Sequence, residues 1–418
     1  MPSRILKPTS PKQALQKLVE TIHLKIVDYE ELPVSEAVGR VLFEDIVSKV
    51  NIPRNDVSVM DGYAIRYRDT LTASTKNPVR LTVIGKQHLS ESPSEIKVEE
   101  GQAVYITTGA PIPMGADAVV MVEYARVVGD QIELRRAVKE GDFIARVGED
   151  IHEGLVLKKG SVLRPQDVGL LTGIWEFKVK TLRKPKVAVL PVGDELTDFD
   201  ERKPGKKVDN YSLIISKLIE DLGAKPQKMD VAPDDPKEIA DRILSVIDVV
   251  DMVVTISGIS VGEKDVVSDA VALLEPGGLL VHGVKMKPGR VAGLGVIRQK
   301  PFIALPGFII STIAAFYTFA APTIAHMLGL GFTAPLPILK AKITREVKGV
   351  ALLNFIPVSV KVVEEGFVAE PVLGGSSVLR RLIQANGFIY VDPGGAIEEG
   401  KEVDVTLFGV HELSYLYA

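Results

Sequence analysis

The sequence predicts a mixed α/β multidomain protein: a doubly wound, mostly parallel α/β domain, flanked by a β-rich module and a C-terminal β-barrel domain. Three observations carry this. From Lys184 onward, short apolar runs alternate with amphipathic stretches in the order β-α-β-α-β-α, the pattern of a doubly wound sheet. Between Pro78 and Arg136 there are only strand-like runs broken by glycine turns. Beyond Pro337 the chain returns to strand-like runs.

In chain order, Thr9-Ser10-Pro11 reads as a helix cap with proline at the first helical position, followed by a stripe of Ala14, Leu15, Leu18, Val19 and Ile22. Residues 33–50 are expected to hold a second short helix and a strand. The β-rich module has strand-like runs at 79–85, 103–107, 118–128 and 132–136. A helix start is expected near Arg164-Pro165-Gln166-Asp167. The α/β alternation has strands at 186–192, 227–231 and 252–256. Its helices begin near Asp209-Asn210 and at Pro233-Asp234-Asp235-Pro236. Pro301 to Leu339 has no charged residue, but its prolines and glycines make it a buried core or interface helix and not a membrane span.

Composition narrows the chemistry. The 418 residues carry a net charge of −4, which argues against broad nucleic-acid binding. There is no cysteine, so thiolate catalysis and zinc–thiolate sites are excluded. The six histidines have no metal-ligand spacing, so a metal is expected to be hard, oxygen-ligated and Mg²⁺-like. The polar stretch Met1 to Leu15 has no apolar signal region, and the chain is read as cytoplasmic.

The richest stretch is MVVTISGISVGEKD (252–265), a buried strand running into a small-residue loop that ends on carboxylates. Strand, turn and helix start offer backbone N–H groups to an anion, and a carboxylate beside them can bring a hard cation. Asp194-Glu195, Asp234-Asp235 and Glu263/Asp265 are expected on one sheet edge. Singly they read as helix-start acids; together they suggest a site. Lys285, Lys287 and Arg290 cluster around a Pro-Gly turn suited to a phosphate or oxyanion, or to a solvated turn. SVMDGYA (58–64) reads as a plain Asp-Gly turn or as a loop presenting Asp61, and TTGAP (107–111) as a rigid hydroxyl-bearing loop or a plain connector. No GxGxxG, GxxxxGK[ST] or nucleophile–His–Asp arrangement is present.

Taken together, SVMDGYA (58–64), TTGAPIPMGADAVVMVE (107–123), VGDEL (192–196), SGISVGEKD (257–265), KPG (287–289) and LPG (305–307) resemble the molybdopterin molybdenumtransferase family (MoeA and the gephyrin E domain), in family order across nearly the whole chain. The resemblance implies a homodimer with a discontinuous first domain (1–49 and 142–182) and an inserted β-rich domain (50–141). It also implies a doubly wound molybdopterin-binding domain (183–330) and a β-barrel domain (331–418), with a site completed by loops of the partner subunit. The implied partners are adenylylated molybdopterin and molybdate or tungstate, with Mg²⁺, release of AMP, and no nucleic acid or membrane. Carried over by motif, Asp61, Thr108, Glu195 and Asp265 are the catalytic candidates, and Glu195, Asp235 and Asp265 the metal candidates. The substrate-binding candidates are Ser257, Gly258, Ser260, Gly262, Lys285, Lys287, Arg290, Ser376 and Ser377.

The chain departs from the family at four places. Ser257 stands where a first glycine is usual, Phe308-Ile309 where Asn-Pro is usual, and Gly283 at a family lysine, and residues 349–355 lack an arginine. These departures keep two alternatives in view: a non-catalytic molybdopterin-binding paralogue or scaffold, and a nucleotide pyrophosphatase on the same third-domain fold.

Overall fold

The computed structural model describes residues 8–22, 26, 28–89, 95–198, 200–260 and 265–417. The chain forms two compact units: one of 1–30, 39–41 and 181–418, the other of 31–38 and 42–180.

The first unit is built on a six-stranded sheet. Helix α1 (Pro11–Thr21) precedes it, capped by the Ser10 hydroxyl on Gln13 N–H and opened by Pro11. In chain order come β1 (Lys186–Pro191), α2 (Tyr211–Asp221), β2 (Lys225–Lys228), α3 (Pro236–Val246), β3 (Met252–Ile256), α4 (Val266–Ala272), β4 (Gly277–His282), β5 (Gly293–Ile297) and β6 (Lys300–Leu305). The spatial order is β2-β1-β3-β6-β5-β4. The first four strands are parallel; β5 and β4 add an antiparallel edge. The expected doubly wound sheet is thus present, with β2 starting two residues earlier than expected.

Period-two alternation explains the continuous apolar runs. Val187, Val189, Met252, Val254 and Ile303 face one core with Ile215 and Ile219 of α2 and Leu18 of α1. Ala188, Leu190, Val253 and Phe302 face the other with Ile239 and Ile243 of α3 and Val267 of α4.

The uncharged segment becomes helix α5 (Ile309–Met327), long and apolar enough to cross a membrane, yet 94% of its most apolar window is buried within the protein. Its middle, Phe316–Ala320, widens to π-helix just ahead of Pro322. A proline inside a helix removes an N–H and crowds the preceding turn, and a wider turn absorbs both.

A barrel closes the C-terminal region. Strands Leu353–Val363, Gly366–Pro371, Ile338–Ile343, Glu402–Leu407 and Gly387–Val391 pair in that order, and the last returns to the first. The short strand Met286–Lys287 extends it by pairing with Leu353–Asn354, which pins the KPG turn to the barrel's rim.

The second unit holds another six-stranded sheet, ordered Ala118–Met121, Gly62–Ile65, Gln102–Ile106, Val79–Gln87, Gln131–Leu134 and Ala125–Val128. Two expectations are corrected here. Residues 62–65 are a fully buried strand, not part of a loop. A Cβ at Gly62 would sit 2.1 Å from the Val120 carbonyl oxygen, so the Asp-Gly pair marks close strand approach and not a turn. The helix expected in 33–50 is only a 3₁₀ turn, Val34–Glu36.

Candidate functional site

The C-terminal edge of β1, β3 and β6 opens on a cavity of about 870 Å³. Its wall brings together Glu195, Ser257, Ser260, Lys287, Arg290 and Ser376, six of the residues expected from sequence. Their backbones come from the loops after β1 and β3, the KPG turn and the barrel's Gly-Ser segment. An adjoining cavity of about 450 Å³ shares Glu195, Ser257, Gly307 and Phe308 and adds Asp209, Tyr211 and Ser377. Among the described residues, four cations (Lys287, Arg290, Lys348 and Arg381) line the larger cavity against one acid, Glu195, so its field favours an anion.

The loop after β3 is backbone-strained. Ser257 and Gly258 both have left-handed φ, +72° and +71°. The Ser257 N–H donates to Leu305 O at 3.0 Å, and Gly258 O accepts from Val267 N–H at 3.1 Å. Gly258 has no room for a side chain, since a Cβ would lie 2.8 Å from Val267 and 2.9 Å from Val192. The Ser257 hydroxyl packs against Gly307, where a Cβ would meet it at 2.7 Å. The serine and the LPG glycine therefore fit each other.

Other expected residues lie elsewhere. Asp265 is fully buried; its Oδ1 accepts from Ser260 N–H at 3.3 Å and Ser268 N–H at 3.4 Å, capping α4. Asp235 caps α3, accepting from Lys237 N–H at 2.8 Å and Glu238 N–H at 3.2 Å. Both are occupied by the helix-start role that their positions invite. Lys285 is exposed and outside both cavities, its N–H donating to Thr9 O. Gly262 lies outside the described residues.

Among the described residues there is no group of three or more His, Asp or Glu placed to hold a metal ion. Glu195, exposed and cavity-lining, fits the part of a single protein carboxylate on Mg²⁺, an ion that takes its remaining ligands from phosphates and water.

In the second unit, Asp61 and Thr108 meet. The Thr108 N–H donates to Asp61 Oδ1 at 2.6 Å and its hydroxyl donates to the same oxygen at 2.9 Å. The backbone bond first, then the hydroxyl, holds the Asp61 carboxyl below the usual aspartate range. The TTGAP loop is strapped to the short strand Val57–Ser58 by Gly109 N–H to Ser58 O, 2.7 Å, and Ser58 N–H to Ala110 O, 3.0 Å.

Sequence reasoning missed Arg381. Only 9% exposed, its guanidinium donates to the carbonyls of Val372, Gly374 and Gly375 and so shapes the Gly-Ser wall. No carboxylate among the described residues partners it, and burial lowers its pKa. A cation six residues past a Gly-Gly pair was a faint signal, since only the barrel's curvature turns it back on that loop. Lys348 and Asn354 also line the cavity unforeseen.

A doubly wound sheet with an anion-favouring cavity at its carboxyl edge, joined to a β barrel, places this chain among α/β proteins that receive a ligand at the strand ends. Family models narrow this further. The MoeA N-terminal region (domain I and II) matches residues 9–174, a probable molybdopterin binding domain matches 188–326, and the MoeA C-terminal region (domain IV) matches 340–408. The molybdopterin molybdenumtransferase of Haemophilus influenzae is 31% identical over 95% of this chain and 98% of its own. That of a Staphylococcus aureus strain is 30% identical over 96% of each. A solved structure of the molybdopterin biosynthesis MoeA protein of Pyrococcus horikoshii superposes with a TM-score of 0.81, at 32% identity over 96% of this chain and 100% of that one. The chain belongs to the molybdopterin molybdenumtransferase family, transferases of molybdenum cofactor biosynthesis.

Proposed function

We propose that this protein inserts molybdate into adenylylated molybdopterin with Mg²⁺ present, cleaving the phosphoanhydride between AMP and the pterin phosphate. The observation that carries this reading is the cavity of about 870 Å³ at the sheet's carboxyl edge, lined among the described residues by four cations and one acid. Lys287, Arg290 and Lys348 would draw in phosphate and molybdate charge, and the Ser257–Ser260 turn would offer backbone groups to the ligand. Glu195 would help hold Mg²⁺, which when bound neutralises charge developing on the anhydride oxygens. Asp61 and Thr108, joined through two hydrogen bonds, are proposed as further residues needed for turnover.

A homodimer, a cytoplasmic setting, and use of tungstate in place of molybdate belong to the same reading. The four-part division at 1–49 with 142–182, 50–141, 183–330 and 331–418 is likewise proposed, with the qualification that α1 shares the core of the α/β sheet.

The test is incubation with adenylylated molybdopterin, molybdate and Mg²⁺, following AMP. Release of AMP coupled to cofactor formation is expected, and Lys287→Met should cut kcat/KM by roughly 10²-fold. Tight pterin binding without AMP release would replace the reading with a binding paralogue. Hydrolysis of unrelated nucleotide anhydrides without pterin would point to a pyrophosphatase.

A further inference from the structure

His282 has no part in the chemistry above, yet it is the last residue of edge strand β4 and only 5% exposed. Its Nε2 lies 2.9 Å from Ser260 O and 3.2 Å from Asp265 Oδ2. A carbonyl can only accept, so Nε2 carries the proton and donates it to Ser260 O, with Asp265 Oδ2 alongside. Asp265 Oδ2 makes no hydrogen bond among the described residues, and the His282 ring is the polar group beside it. Asp265 Oδ1, in turn, accepts from Ser260 N–H. Residue Ser260 is therefore gripped at both ends, its N–H by Asp265 and its carbonyl by His282, while the two gripping side chains touch each other.

The geometry around this grip is specific. His282 lies opposite Gly293 across β4 and β5. A Cβ on Gly293 would come within 2.6 Å of Ile259, so the bare glycine makes the space into which Ile259 settles. The turn that needs holding is the one with two consecutive left-handed residues, Ser257 and Gly258. Such a backbone persists only where its surroundings over-determine it. Ser260 lines the cavity, so any loosening of the grip moves cavity wall.

We propose that His282 is a positioning residue: through Asp265 and the Ser260 carbonyl, it fixes the Ser257–Ser260 turn in the shape that receives the phosphate-bearing ligand. The inference rests on the ligand class proposed above. An apolar residue at 282 would strand the Ser260 carbonyl and remove the polar neighbour of Asp265 Oδ2. The turn would then lose its anchor, while the groups that meet the ligand stay chemically intact.

The experiment compares full-length His282→Gln, His282→Asn, His282→Leu and Val281→Ala. Gln can carry an N–H to about the position of Nε2; Asn is too short; Val281→Ala damages the neighbouring core without touching the grip. Adenylylated molybdopterin binding is measured by calorimetry, and backbone hydrogen exchange is followed over residues 257–260. His282→Leu and His282→Asn are expected to weaken binding by at least ~10-fold, raising KM with kcat within about twofold, while His282→Gln stays within about threefold of the parent. Exchange over 257–260 should rise in the first two only, and Val281→Ala should lower stability without lowering affinity. Should His282→Leu not fold, the contrast of Asn with Gln decides. Unchanged binding and exchange in His282→Asn, or an equal loss in Val281→Ala, would overturn the proposal. If the parent protein fails to bind the adenylylated pterin, the functional reading falls, and the exchange comparison still decides whether His282 anchors the turn.

Discussion

At Ser257 the residue scale shows a local rule broken and compensated nearby. Its φ of +72° costs a serine about 1 kcal/mol relative to an unstrained conformation. Its hydroxyl fills the space left by Gly307. Gly307→Ala should therefore destabilise the protein by roughly 1–3 kcal/mol through overpacking. Adding Ser257→Gly should recover most of that loss, as read in a denaturant-unfolding double-mutant cycle. Asp61 offers a second residue-scale prediction. Its pKa in the folded protein lies below the ordinary 3.8, so in the window below 3.8 the folded chain binds fewer protons than the unfolded one. Its contribution to stability is complete above that window and lost as pH falls through the folded value. Asp61→Asn should flatten this part of the pH–stability curve, and a carboxyl-carbon NMR titration should give Asp61 a midpoint below 3.8. Both residues were legible as candidates in the sequence. The fit of Ser257 to Gly307 was not, because the two meet only when β3 and β6 lie side by side.

Among the elements, those built by local rules were the most legible. Helix α3 begins where Asp235-Pro236 predicts, with the carboxylate capping two N–H groups. Strand β3 has the limits that its apolar run suggests. Elements that answer to distant partners were misread. The strand Gly62–Ile65 looked like a turn because the neighbour that requires its glycine is Val120. The Gly374–Ser376 wall takes its shape from Arg381, whose donors bind carbonyls of Val372, Gly374 and Gly375. Replacing Arg381 with Met should leave those carbonyls unpaired, cost about 3 kcal/mol, and speed hydrogen exchange across residues 372–376. Lysine at that position should recover only part of the loss, since an ammonium cannot span three acceptors as a planar guanidinium does.

For the whole molecule, the proposed dimer sets a simple measurement: light scattering should give about twice the 45.3 kDa of one chain. A mass of one chain at micromolar concentration would remove the dimer from the proposed function. By itself the sequence determined the alternation of strands and helices, the buried character of Ile309–Met327, the motif set that marks the family, and two of the cavity's cations, Lys287 and Arg290. These follow from periodicity, capping and composition, which act over a few residues. Only the tertiary structure decided which of those residues share a wall. It placed Glu195, Ser260, Lys287 and Ser376 around one cavity. It turned Asp265 inward to His282, and recruited Arg381 and Lys348. The reason is physical. A side chain's direction is set by the sheet register and barrel closure beneath it, and both are fixed by contacts between segments far apart in the chain.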